Sequence, residues 1–210
     1  ARTTTEMTLP PPAVPADRLA DWRQTEQRVE AAFSTPIVTV TTHTHVYEEV
    51  AERDRIRVAC DIDQPWRFFF ASRLRLDPPK QPSRLLTELV TRRAAASFEE
   101  RLEARSFERI NRTRSDGSGT GGHTDRTRFD YRAICRLRER NATISLPVAA
   151  SLAIWDAGGD YHLAGGGYPS GRPDSAPDAV GDALATHTNP ATAATTLDAL
   201  IDATMAASRQ

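Results

Sequence analysis

Lysine is almost missing from this sequence, Lys80 standing alone against 26 arginines. With Ala and Thr abundant, that bias points to a GC-rich genome and would suit a halophile, which bears on codon usage and not on activity. Cysteine is as scarce. Cys60 and Cys135 lie outside any CxxC or Cys/His grouping, which excludes the usual zinc spacings. Each falls on the apolar side of a segment that alternates like a strand, so two readings stand: buried thiols acting as small hydrophobes, or a disulfide between them. No apolar run reaches the roughly 18 residues that a membrane-spanning helix needs. Neither sign of charge dominates, with 27 basic residues against 28 acidic ones, and this balance argues against a dedicated nucleic-acid binder. The chain begins at Ala1 without a basic-then-apolar leader, which fits either a protein that never had one or a processed form.

The 210 residues are enough to bury a substantial core in one domain. Residues 1–15 carry Thr3 to Thr5 and then Pro10, Pro11, Pro12 and Pro15, so they read as a flexible tail, with residues 16–210 forming a single α+β domain. Asp17 can cap a helix to about Phe33, because Leu19, Trp22, Val29 and Phe33 recur at helical spacing. Ile37 to Tyr47 is rich in β-branched residues, with Val38, Val40 and Val46 on the even positions. Arg55 to Ile62 alternates through Ile56, Val58, Cys60 and Ile62, and Trp66 to Leu76 through Trp66, Phe68, Phe70, Leu74 and Leu76. Ser83 caps a second helix facing inward with Leu86, Leu89, Val90, Phe98 and Leu102.

Four more strands follow: Phe107 to Arg112, Thr127 to Leu137, Ile144 to Trp155 and Tyr161 to Tyr168, the last two joined by a Gly158-Gly159 turn. Between the first two, Ser115 to Thr124 reads as a mobile loop. A short helix over Ser175 to Ala185 precedes one started by Asn189 and Pro190, with Leu197, Leu200, Ile201 and Met205 inward. The expected order is α-β-β-β-α-β-β-β-β-α-α. Strands grouped between helices predict one antiparallel sheet of about six or seven strands with helices packed on it.

No catalytic constellation emerges. No serine sits in a G-x-S-x-G elbow, and no His is fixed beside either cysteine. Gly117, Gly119 and Gly122 match G-x-G-x-x-G, but the motif lies between two strands and lacks the strand-to-helix setting a dinucleotide needs. The Gly165-Gly166-Gly167 run lacks the Lys of a phosphate loop and reads as close backbone packing. His43 and His45 share one face of a predicted strand, but no third ligand is placed near them, so no metal and no cofactor is expected. The arginines opposite the apolar positions are the candidate site. Arg67, Arg73, Arg75, Arg128, Arg132 and Arg136 would gather on the second face of the sheet, where guanidinium forks could hold an anionic ligand. Asp61, Asp63 and Asp130 could equally pair with them. The sequons Asn111-Arg112-Thr113 and Asn141-Ala142-Thr143 mildly favour an external location.

The segment from Trp155 to Pro169, followed by His187-Thr188-Asn189-Pro190, resembles the end of an uncharacterised family of haloarchaeal secreted or lipid-anchored domains. The order of elements looks like the Mog1/PsbP-type α/β/α sandwich. The resemblance implies an exported, lipoprotein-derived domain behind a Pro- and Thr-rich tether, with a membrane tether upstream and no catalytic residues to carry over. No lipid-attachment cysteine stands at the start, and a halophile's acid excess is missing. The expectation is a non-enzymatic extracytoplasmic binding or assembly domain whose partner is an unidentified protein or anionic ligand. The alternative is a cytoplasmic polyanion or nucleic-acid binder using the arginine face.

Overall fold

A computed structural model describes residues 9–34, 38–80, 83–116, 126–139 and 142–210. Its described strands form one sheet, every neighbouring pair antiparallel, in the order β1-β2-β3-β7-β6-β5-β4. The strands are β1 (Trp22–Ser34), β2 (Thr39–Glu49), β3 (Phe68–Asp77), β4 (Phe107–Asp116), β5 (Thr127–Glu139), β6 (Ala142–Ala157) and β7 (Asp160–Pro169). The described helices are α1 (Val50–Cys60), α2 (Arg84–Ala104), α3 (Asp178–His187) and α4 (Pro190–Ser208). The α+β class and the single antiparallel sheet stand as the strand grouping predicts. Two meanders, β1 to β3 and β4 to β7, meet where β3 pairs with β7.

Two elements differ from the sequence reading. The helix expected over residues 17–33 is a single turn at Ala16–Arg18 followed by β1. Glu26, Arg28 and Glu30 lie opposite Val46, Thr44 and Thr42 of β2, so pairing with a neighbour overrides a pattern that long polar side chains make equally compatible with helix. The strand expected over residues 55–62 is the helix α1, in which Glu52 and Ile56, four apart, are buried while Val58 is 80% exposed. Asp61 ends it in the left-handed region at φ 59°, its N–H donating to Arg57 O at 2.8 Å. The observed order is β-β-α-β-α-β-β-β-β-α-α, and the element order behind the sandwich likeness changes accordingly. Within the segment read as a tail, Leu9 and Pro12 are buried and Val14 packs on the α4 side of the core, while Pro10 and Pro11 are exposed.

The other signals act as read. Ser83 Oγ accepts from Leu86 N at 3.3 Å, and Asn189 Oδ1 accepts from Thr192 N at 3.1 Å with Pro190 as the first helical residue. Gly158 and Gly159 take φ 61° and 85° to turn β6 into β7. Gly117, Gly119 and Gly122, the expected loop from 117 on, and Asn141 lie outside the described residues.

The core has three parts. Under α2, Phe68, Leu74, Phe129, Tyr131, Leu152 and Leu163 meet Val90, Phe98 and Leu102. On the opposite face, Tyr47, Phe69, Ala71 and Trp155 meet Leu197, Leu200 and Ile201 of α4. Beyond one end, α1 and α3 close over Trp66, Cys135, Ile144, Leu146 and Val148. The Cys60 thiol donates to Ile56 O at 3.3 Å, and burial pushes the Cys135 thiol up to about 11, so Cys135 acts as a small hydrophobe.

Candidate functional site

The six arginines singled out from the sequence do not converge. Arg67 is buried between Glu49 and Glu52, with its guanidinium 5.6 Å from the Trp22 ring. Arg73 and Arg75 both bond to Asp160: Arg73 Nε donates to Oδ2 at 2.6 Å, and Arg75 donates to both oxygens at 3.0 and 2.9 Å. Burial pushes the Asp160 carboxyl up, but the bonds from the two arginines outweigh it and hold it below its ordinary value. Arg128 bonds to Asp130 at 2.9 Å and Asp198 at 2.8 Å, and Arg136 to Glu108 at 3.0 Å. Arg132 is exposed. Five of the six thus have carboxylate partners within the protein.

His43 and His45 do share one face, their rings 5.0 Å apart edge to face. His43 sits between Leu9 O at 2.9 Å and Gln27 Nε2 at 3.0 Å. Nδ1–H therefore donates to the carbonyl and Nε2 accepts from the amide, which uses both nitrogens of a neutral ring. Burial, and then the neighbouring His43, holds His45 below its ordinary value. Among the described residues no group of three or more His, Cys, Asp or Glu is placed to hold a metal ion.

The site that does assemble lies on the other face. A cavity of about 420 Å³ opens between α2 and the β1-β2-β3 side of the sheet, a volume within the roughly 300–1,000 Å³ of small-molecule sites. It arises because α2 packs toward β4 and β6, while the sheet positions left under its flank carry small side chains. The inward row of β2 runs Val40, Thr42, Thr44, Val46, and that of β3 runs Phe68, Phe70, Ser72, Leu74. Two threonines and a serine, where valine or leucine would continue the pattern, leave the space unfilled. Their hydroxyls are satisfied: Thr44 Oγ1 and Ser72 Oγ lie 2.8 Å apart, and Thr42 Oγ1 donates to Glu30 O at 3.3 Å.

The glycine run shapes the aromatic part of the floor. A Cβ on Gly165 would stand 2.9 Å from the Phe70 ring, and one on Gly167 2.8 Å from the Phe68 ring, so both rings lie flat on β7. On the other face a Cβ on Gly166 would stand 2.9 Å from Leu197 Cδ1. Gly165→Ala, whose methyl also meets the Ser151 carbonyl, is expected to cost about 1–3 kcal/mol. Urea unfolding measures it, and a loss near zero would mean the rings have room to lift.

Over this floor α2 presents Val90, Ala94, Phe98 and Leu102, with Phe98 and Phe70 centroids 5.5 Å apart. The adjacent ridge, again four residues apart, is Arg93, Ser97, Arg101 and Arg105, exposed along the mouth. Arg101 reaches across to Glu30 on β1 at 2.8 Å, and the Arg105 guanidinium stands 5.5 Å over the Phe68 ring. Arg28 of β1 is paired with Glu26. The result is an apolar pocket with a hydroxyl patch and a cationic rim.

A profile for a domain of unknown function, DUF6517, matches residues 11–205 of the chain. The chain belongs to the DUF6517 family. That match spans every described strand and helix up to Met205 near the end of α4, so the cavity lies wholly inside the family's domain. No curated protein and no solved structure matches the chain.

Sequence reasoning passed over this pocket although it left a trace. The inward alternation skipped Thr42, Thr44 and Ser72, and those gaps mark the cavity floor. The row Arg93, Ser97, Arg101 and Arg105, in steps of four beside an apolar stripe, is the second trace.

Proposed function

We propose that this domain is a non-enzymatic binding protein of the cell exterior that holds an apolar small molecule between α2 and the sheet. The observation that carries the reading is the 420 Å³ cavity floored by Phe68, Phe70, Leu74, Leu152 and Leu163. Burial from water is the main source of affinity in such a site, at roughly 25 cal/mol per Å² of apolar surface. The exterior setting, and with it the haloarchaeal lipoprotein-type origin, rests on the resemblance of residues 155–169 and 187–190 and on the exposed sequon at Asn111 of β4. A helix layer on each face of the antiparallel sheet supports the sandwich part of that likeness.

A neutral naphthylamine dye that fluoresces in apolar surroundings tests the binding role. Saturable enhancement is expected, and Ser97→Trp, which places an indole in the mouth from an exposed helix position, is expected to weaken it at least about tenfold. Absence of saturable enhancement sinks the reading. Recovery of the native protein in the cytoplasmic fraction would defeat the exterior location. A polyanion role for the arginines ranks second because Arg67, Arg73, Arg75, Arg128 and Arg136 are engaged by carboxylates. Retention on heparin that collapses with salt would reverse that ranking.

A further inference from the structure

Among the described residues two cations on the rim of the cavity, Arg93 and Arg105, have no carboxylate partner. Arg28 is bonded to Glu26 and Arg101 to Glu30, while Arg105 stands over the Phe68 ring. Arg93 has none of these. Its helical neighbours three and four residues away are Leu89, Val90, Ala96 and Ser97, none of them acidic, and no described carboxylate is paired with it. Glu100, the only acid among the lining residues, lies seven positions along α2, about 10 Å on. A guanidinium held at the edge of an apolar pocket with its donors unmet is complementary to an oxyanion attached to a hydrocarbon.

From this we propose that the occupant is a single-chain anionic amphiphile: a linear hydrocarbon tail ended by a carboxylate or phosphate. The tail lies along Phe70, Phe98 and Phe68, and the head sits at Arg93. Arg105, twelve residues further along α2 and so about 18 Å away, cannot share that head; it closes the far end over Phe68. The Arg101–Glu30 pair spans the mouth between α2 and β1 with both side chains over a third exposed, a weak clasp that yields to an entering chain. The assignment rests on the reading of the cavity as a binding site.

Titration calorimetry with decanoate, decyl phosphate and decanol separates the two claims. Both anions are expected to bind at least about tenfold more tightly than decanol, the size of one charge-assisted hydrogen bond. Arg93→Gln is expected to bring the anions down to the decanol level while leaving decanol unchanged, and each added methylene to tighten all three by about fourfold. Vesicles of phosphatidylglycerol distinguish the source. Cosedimentation abolished by Ser97→Trp places the amphiphile in a membrane, and its absence beside decanoate binding places it in solution. Equal affinities for decanol and the anions, or an anion preference that survives Arg93→Gln, would overturn this assignment and leave the binding role standing. Failure of all three ligands together with the neutral dye would overturn the binding role itself.

Discussion

Replacing Arg67 with alanine is expected to remove about 3–5 kcal/mol of stability, the loss typical of a buried ion pair deprived of one partner. Arg67 is 8% exposed and joins four elements at one end of the sheet: it leads into β3, pairs with Glu49 at the end of β2 and with Glu52 of α1, and lies over Trp22 of β1. Without the guanidinium, Glu49 and Glu52 would face each other across a dry site and the Trp22 ring would lose its cation. Urea unfolding with an unchanged m-value measures the effect. A loss below about 1 kcal/mol would mean that the cluster is solvated and merely decorates the surface.

The same cluster makes stability depend on pH in an unusual sense. Burial pushes the Glu52 carboxyl up to about 7, the attraction of Arg67 only partly opposing it, and burial raises Glu49 as well. Arg67 and, more weakly, Arg55 oppose the burial of the two carboxylates only in part, so one of them is better off neutral, and the two titrate as a pair. In the folded protein Glu52 keeps its proton where the unfolded chain, with an ordinary value of 4.5, has lost it. Stability therefore falls as pH rises from about 4.5 to about 7, by up to about 3 kcal/mol, and levels off above. Glu52→Gln keeps the shape and removes the titration. Its stability relative to the parent is expected to rise by about 2.5 kcal/mol between pH 5 and pH 8, measured by thermal unfolding at both. Equal differences at the two pH values would contradict the account.

The legible parts of the fold are those in which one period was physically possible. Phe68 to Leu76 and Thr127 to Leu137 alternate with bulky side chains on one face, and a one-residue slip would expose all of them, so β3 and β5 could be read directly. Ser83 and Asn189 announce their helices by a cap whose geometry the structure repeats. The misread segments were those whose apolar residues were too few to choose a period. Ile56, Val58, Cys60 and Ile62 fit a strand, yet only Ile56 and Ile62 are buried, and Val58 points to solvent from α1. In β1, Trp22, Val29 and Phe33 fit a helix, and what decides against it is the neighbouring strand β2, which no local pattern announces.

The candidate site was half written in the sequence. Arginine is the unusual residue of the sequence, but alternation assigns a face and not a partner. Asp160, 85 positions from Arg75, and Asp198, 70 positions from Arg128, come within bonding distance only in the folded chain. Arg93, without a carboxylate partner among the described residues, sits on a helix whose amphipathic pattern looks ordinary. Its meaning depends on Thr42, Thr44 and Ser72 being small and on Gly165 and Gly167 letting two phenyl rings lie flat, a conjunction across β2, β3 and β7.

Amide chemical shifts recorded while decanoate is added to the full chain test the cavity most directly. The predicted changes are confined to Thr42–Val46 of β2, Phe68–Leu74 of β3 and Val90–Arg105 along α2. Saturable changes centred instead on Arg128, Arg132 and the α4 face, or none at all, would contradict the assignment of function to the space under α2.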